Sequence, residues 1–170
     1  MSTATVSTLG TLIAGLAHTL EQSGPGLSAE LRRLDPGAAD RWRSPGFYRL
    51  FTGVIAPEHG WGDDHQRRWA MVLSGMARLP HRQDLRPGML LAQTQYAERR
   101  FARLLSADEN HLGDELRAAV AFLKARDGRG VDWLPLATLA LSDPGSDPGD
   151  RCRRSLAEDY FRNLPKTKKD

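Results

Sequence analysis

Apolar residues recur every three or four positions along most of this chain, and no segment of useful length alternates with a period of two. The first such stripe consists of Leu9, Leu12, Ile13, Leu16 and Leu20. Val and Ile are scarce, whereas Leu, Ala and Arg are abundant, which favours helices over strands. The chain has 170 residues, of which 40% are apolar, so it is long enough to bury a core. The sequence therefore predicts an all-α protein, an irregular bundle of about eight helices.

Turn and cap signals locate these helices. Residues 23–26 are predicted to end the first helix, and Ser28 is predicted to cap a short second one. Ser44 followed by Pro45 predicts the start of a third helix. The remaining predicted helices are 63–79 with Asp63 or Asp64 as its cap, 96–106, 114–126, 133–141 capped by Asp132, and 151–164. We expect loops over 57–62, 80–88 and 143–150.

The predicted organisation is one helical domain over residues 1–170, or two packed lobes, 1–90 and 91–165. A disordered tail is predicted over 165–170. No apolar run approaches the roughly 18 residues that a membrane span needs, and the N-terminus lacks the pattern of a signal peptide. With Cys152 as the single cysteine, we expect a cytoplasmic protein without a disulfide or a cofactor.

The positive charge is concentrated in the middle of the chain. Residues 1–31 carry a charge of −2, residues 32–104 carry +6 and residues 105–170 carry −1, which sum to the net +3. Arg outnumbers Lys 20 to 4. This asymmetry suggests a polyanionic partner, although a GC-rich genome would also raise the arginine content.

Arginine positions are more informative than the arginine total. Arg99, Arg100 and Arg103 lie at i,i+3 and i,i+4 spacing on a predicted helix, opposite or beside its apolar stripe of Phe101, Leu104 and Leu105. Like charges at this spacing repel by a few tenths of a kcal/mol per pair, and bound phosphates would relieve that cost. Arg117 and Lys124, seven residues apart, fall on one face of the next helix. The alternative is a solvated face with local pairs, such as Arg99 with the glutamate before it.

Most aromatic side chains fall on the apolar stripes. They are predicted to lie in the core, which argues for recognition of a nucleic-acid backbone over base readout. The predicted core aromatics are Phe47, Phe51, Trp69, Phe101, Phe122, Trp133 and Phe161.

Two features of the sequence could form a catalytic or metal-binding site. Cys152 lies between Arg151 and Arg153, which could lower its pKa, but it has no nearby histidine and is typical of a space-filling side chain. His59 and His65 belong to a polar cluster, but their spacing across a Gly-Trp-Gly break matches no metal motif. That cluster also contains Glu58, Asp63 and Asp64. We therefore predict no catalytic residue and no metal site.

Five segments in order resemble the CasB family, the small helical subunit of type I-E CRISPR surveillance complexes. They are Leu31-Arg32-Arg33-Leu34, Gly46-Phe47-Tyr48-Arg49-Leu50, Ala97-Glu98-Arg99-Arg100-Phe101-Ala102-Arg103-Leu104-Leu105, Leu116-Arg117 followed by Val131-Asp132-Trp133, and Asp159-Tyr160-Phe161. Their order and spacing agree with the family from about residue 30 to residue 163.

The resemblance implies a non-catalytic Cascade subunit that contacts nucleic-acid backbone and stabilises the R-loop in antiviral defence. It implies CRISPR RNA, target DNA including the displaced strand, a second copy packed head to tail, and the backbone and large subunits of Cascade as partners. The alternative is a purely structural subunit without nucleic-acid contacts. The binding residues that the resemblance and the charge pattern suggest are Arg32, Arg33, Arg67, Arg82, Arg99, Arg100, Arg103, Arg117 and Lys124. After Leu105 the chain departs from the family pattern, with Ser106, Asp108 and Glu109 where some relatives carry arginine.

Overall fold

The computed structural model describes residues 8–166 apart from the side chain of Glu58, and these residues form helices joined by short turns. Within this range there is no strand, only an isolated bridge between His81 and Val131. The all-α prediction is confirmed. The helices are α1 Leu9–Gln22, α2 Gly24–Arg32, α3 Pro45–Leu50, α4 Ala56–His59, α5 Asp63–Arg78, α6 Pro87–Gln93, α7 Glu98–Ser106, α8 Leu112–Arg126, α9 Trp133–Leu141 and α10 Asp147–Arg162. A 3-10 turn spans Arg41–Arg43, and a π-helical segment spans Phe51–Ile55.

Of the tail predicted over 165–170, residues 167–170 lie outside the described residues. No helix between residues 8 and 166 is both long enough and apolar enough to cross a membrane.

The chain divides into two compact units, the first ending at Ala77 and the second beginning at Arg78. In the first unit, α2 packs against α1 and α3, and α3 also packs against the 3-10 turn and the π-helical segment. Its core contains Ile13, Leu16, Phe47, Phe51 and Trp69, all almost completely buried. The apolar stripe predicted for α1 is therefore the face that this helix buries.

In the second unit, α10 packs against α6 and α9, and α7 packs against α8. The rings of Phe101 and Tyr160 stack with their centroids 4.0 Å apart. Trp133 is completely buried, and its indole Nε1–H donates to the carbonyl of Leu79 over 2.7 Å. These contacts join the start of the unit to α9 and join α7 to α10.

Two predicted caps are confirmed. The Ser44 hydroxyl accepts a hydrogen bond from the Phe47 amide over 3.3 Å, and an Asp132 carboxylate oxygen accepts one from the Leu134 amide over 3.0 Å. Both bonds satisfy amides that the first turn of a helix leaves without a backbone partner.

Other boundaries were predicted wrongly. Helix α2 begins at Gly24, so Ser28 lies inside it and is not its cap. Asp63 and Asp64 lie in the first turn of α5 and do not precede it. Helices occupy parts of three predicted loops: α4 in 57–62, α6 in 80–88, and the start of α10, which Ser146 caps, in 143–150. Each of these helices has a proline near its beginning, which resembles a loop signal in sequence although its fixed φ suits the first helical turn.

The aromatic prediction was wrong for Phe161, whose surface is 52% exposed. Phe122 is only half-buried. The other five aromatic residues predicted for the core are buried.

Candidate nucleic-acid interface

Helix α7 presents three arginines to solvent. Phe101 and Leu104 are buried beneath it, and Arg99 and Arg103, four residues apart, lie on the opposite side of the helix. Arg100 lies on one flank and is also exposed. The amphipathic pattern therefore aims these side chains outward because the opposite stripe is anchored in the core.

The C-terminal end of α7 is held by α10. The Arg153 side chain donates from Nε to the carbonyl of Leu105 over 2.9 Å, which satisfies one of the carbonyls that a helix end leaves open. This bond fixes the position of the last turn, from which Arg103 projects.

Two of the three arginines on α7 lack an ion pair with any residue that the structure describes. Arg103 Nε lies 3.4 Å from Glu115 Oε1 on α8. Among the described residues, the side chains of Arg99 and Arg100 make no hydrogen bond or ion pair. The local pair between Arg99 and Glu98 that the sequence left open is not formed. The charges of Arg99 and Arg100 are therefore available to a ligand.

Helix α8 turns one flank toward α7. Glu115, Phe122 and Arg126 share this flank, because they are separated by about two turns and one turn of helix. The Arg126 guanidinium lies 5.1 Å from the centroid of the Phe122 ring, and that ring lies 4.9 Å from the ring of Tyr96.

The pKa of Tyr96 is affected by charged residues of both helices. Burial raises the pKa of the Tyr96 hydroxyl, and the nearby charge of Glu115 raises it further, whereas Arg100 and Arg103 oppose that rise. The charges of Arg100 and Arg103 thus act on one ring of the Tyr96–Phe122 pair, and Arg126 lies over the other ring. We call Arg99, Arg100, Arg103 and Arg126 the α7–α8 arginine ridge. Arg126 was missed in the sequence, although its spacing of four from Phe122 could have indicated the contact.

Arg117 and Lys124 are exposed, as predicted, but they lie on the other flank of α8. The structure therefore does not bring them together with the arginines of α7. Arg82, at the start of the second unit, is exposed and donates from Nε to the carbonyl of Arg129 over 3.4 Å.

In the first unit, Arg32 and Arg33 are exposed at the end of α2. Arg33 lines an open pocket of about 650 Å³ together with Arg41 and Arg43. Arg67 on α5 donates to Asp64 over 2.8 Å, and this bond, with the charges of Arg67 and Arg68, lowers the pKa of the Asp64 carboxyl. Arg67 is therefore less available to a phosphate than Arg33.

The departure after Leu105 has a local structural role. One carboxylate oxygen of Asp108 accepts hydrogen bonds from the amides of Asn110 and His111, each over 3.0 Å, and it lies 2.7 Å from Nδ1 of His111. These bonds to His111 and Asn110 lower the pKa of Asp108. The acidic stretch thus organises the turn before α8.

The two features considered for chemistry make structural contacts. Burial raises the pKa of the Cys152 thiol to about 11, and the thiol donates to the carbonyl of Pro135 over 3.1 Å, so the predicted lowering by its arginine neighbours is outweighed. The His59 ring packs edge-on against Trp69, 6.2 Å away. Among the side chains that the structure describes, which do not include that of Glu58, no three His, Cys, Asp or Glu are grouped to hold a metal ion.

Residues 28–161 match the family model of CRISPR-associated protein Cse2. The chain belongs to the Cse2 family. The resemblance to the CasB family found in the sequence is thereby confirmed, since a solved structure named CasB is among the similar folds. A comparison with curated protein sequences gives no match.

Three solved structures share this fold over nearly their whole length. A chain of E. coli Cascade bound to a PAM-containing double-stranded DNA target is 25% identical with a TM-score of 0.66, covering 91% of this chain and 97% of that one. CasB from Thermus thermophilus is 22% identical with a TM-score of 0.71, covering 92% and 99%. Another structure of a CRISPR-associated Cse2-family protein from Thermus thermophilus is 20% identical with a TM-score of 0.70, covering 92% and 99%.

Proposed function

We propose that this Cse2-family protein is the non-catalytic small subunit of a type I-E Cascade complex and that it binds nucleic-acid backbone. The observation that carries this proposal is the α7–α8 arginine ridge, on which Arg99 and Arg100 have no ion pair within residues 8–166. The similar chain in a Cascade bound to a double-stranded DNA target supports it.

The ridge suits phosphates for an electrostatic reason. Arg99 and Arg103 repel each other across one turn, and a phosphate between them would turn that repulsion into two favourable contacts. Each phosphate neutralised releases counterions, which gives sequence-independent binding that weakens as salt rises. Such contacts along the guide–target region and the displaced DNA strand would stabilise the R-loop, while base pairing between RNA and DNA reads the sequence.

The proposed partners follow from this role. They are the CRISPR RNA and target DNA, a second copy of the chain packed head to tail, and the backbone and large subunits of Cascade. Co-purification of a tagged chain with a CRISPR RNA and the other Cascade proteins tests this assembly. A tagged chain that purifies without RNA and without those proteins contradicts it.

Charge reversal tests the ridge. In the assembled complex, Arg99→Glu combined with Arg100→Glu should weaken target-DNA binding and reduce the log–log salt slope by about 1 per arginine. Arg154→Glu, at an exposed arginine on α10 outside the ridge, is the matched control and should bind as the wild type does. Normal binding by the double variant at near-physiological salt would refute the assignment of this face.

A purely structural subunit is the second candidate. The exposed apolar side chains of Leu134 and Phe161 favour it, because exposed large apolar residues are typical of protein contacts. Crosslinking across the assembled complex separates the two proposals. Crosslinks from DNA to α7 support backbone binding, whereas crosslinks only to other proteins support the structural role.

A further inference from the structure

The first residue of the 3-10 turn Arg41–Arg43 is a buried arginine whose side chain anchors the turn. Arg41 is only 5% exposed, and its Nη1 donates to the carbonyls of Pro36 and Ala38 over 3.0 and 2.8 Å. Its Nη2 donates to the carboxylate of Asp63 at the start of α5. The guanidinium therefore ties the turn both to the preceding loop and to α5.

This anchored turn holds an indole ring out in solvent. Trp42 is 66% exposed, the largest exposure of any large apolar side chain among the described residues. The Arg43 guanidinium lies 5.3 Å from the centroid of the Trp42 ring, within the range of a cation–π contact. An exposed tryptophan side chain lacks the hydrophobic stabilisation that burial normally provides. Binding at this ring therefore requires little further ordering of the protein.

The sequence around Trp42 has a positive net charge. Residues 40–49 contain three arginines and one acidic residue, Asp40. Arg33 and Arg43 line the open pocket of about 650 Å³ beside the turn, a volume in the range of small-molecule sites.

Three carboxylates also line this pocket, and each is engaged locally. Glu30 accepts hydrogen bonds from the Ser44 hydroxyl and the Gly46 amide, both over 2.8 Å. Asp35 accepts from the Gly37 amide over 3.0 Å, and Asp40 lies 3.4 Å from Arg43. Three arginines and three carboxylates line the pocket, so their charges balance. Electrostatic attraction of phosphate therefore does not by itself explain why Trp42 is exposed.

We propose that Trp42 stacks against an unpaired base of a single-stranded nucleic acid, with Arg33 and Arg43 beside the strand. This inference rests on the proposed function and adds base stacking in the first unit to backbone contacts in the second. Aromatic rings that hold single strands accept any base, because every base presents a π-face. The occupant is a single strand, since a base within a duplex is already stacked on both sides.

Trp61 provides an internal comparison. It is 57% exposed, but one side of its ring is occupied because it packs edge-on against Phe51 at 6.2 Å. Trp61→Ala is therefore the matched control for loss of an exposed indole.

The experiment compares an oligothymidine with an abasic strand of the same length, because both carry the same backbone charge. Binding to the full-length chain is measured by fluorescence anisotropy. Trp42→Ala should weaken oligothymidine binding roughly five- to a hundredfold, should leave abasic-strand binding unchanged, and should keep the melting temperature. Trp42→Phe should recover most of the affinity, and Trp61→Ala should bind as the wild type does. The Trp42 loss should persist as salt is raised, because stacking does not depend on counterion release.

Three results would overturn the inference. They are unchanged oligothymidine binding by Trp42→Ala, an equal loss on both strands, or a loss of co-purifying Cascade proteins with oligothymidine binding intact. The last result would identify the ring as a protein contact. Failure of the proposed function looks different, because Arg99→Glu with Arg100→Glu would then leave nucleic-acid binding unchanged. A wild-type chain that binds neither strand contradicts both proposals.

Discussion

The contact between α6 and α10 should be sensitive to a single methyl group. Gly88 is the second residue of α6, and a Cβ added there would lie 2.6 Å from the carbonyl oxygen of Leu156 and 2.8 Å from Cβ of Asp159. It would also lie 3.2 Å from the backbone nitrogen of Tyr160. Two of these three atoms belong to the backbone of α10 and cannot rotate away. Gly88→Ala therefore requires the two helices to separate.

The expected magnitude follows from two opposing terms. Overpacking of a filled contact costs about 1–3 kcal/mol, whereas alanine in place of glycine in a helix contributes at most about 1 kcal/mol. We expect Gly88→Ala to lower the free energy of unfolding by about 1–2 kcal/mol. With a urea m-value of about 2 kcal/mol per molar, the unfolding midpoint should fall by about 0.5–1 M.

Gly15→Ala is the matched control. Gly15 lies within α1, is exposed, and has no atom within 4 Å of the position of an added Cβ. Its replacement should raise the free energy of unfolding by about 0.5–1 kcal/mol, because only the helix propensity changes. Urea unfolding followed by far-ultraviolet circular dichroism measures both variants. If Gly88→Ala is as stable as the wild type or more stable, the close packing of α6 on α10 is refuted.

Three further outcomes test other parts of the structure. Arg41→Met should lower the free energy of unfolding by about 2–3 kcal/mol in urea, since two backbone carbonyls and Asp63 lose their donor; no loss would mean that the anchor is dispensable. Trp133→Phe should lower it by about 1–3 kcal/mol, because the Leu79 carbonyl loses the indole N–H; an unchanged melting temperature would contradict this. Burial raises the pKa of the Cys152 thiol to about 11, so iodoacetamide should modify the folded chain slowly near neutral pH and the urea-unfolded chain quickly. Equal rates would refute the burial.

Local signals were predicted well from the sequence because they depend on residues that are near one another in the chain. Ser44 and Asp132 cap the helices that follow them through bonds to amides two or three residues ahead. The stripe of apolar residues in α7 likewise defines its outward face, so the exposure of Arg99, Arg100 and Arg103 was predicted from spacing alone.

Short elements were missed for the opposite reason. Helix α6 has seven residues and α4 has four, too few to establish a helical period, and each contains a proline near its start. Gly24 adopts a φ of 73° and allows α2 to begin almost directly after α1. A glycine and a proline together indicate a loop in sequence, but this pair begins a helix.

The sequence by itself determined that the chain is helical, that its positive charge lies in its middle, and that three arginines point away from the buried stripe of α7. Only the tertiary structure decided that Arg126 lies over the Phe122 ring on the flank of α8 beside α7, whereas Arg117 and Lys124 lie on the other flank, because the packing of α7 determines which flank of α8 lies beside it. Tertiary packing also buried Arg41 and left Trp42 exposed, although the two are adjacent in the chain. Burial depends on contacts between distant segments, here the turn and Asp63 at the start of α5, and no spacing within one helix reports such contacts.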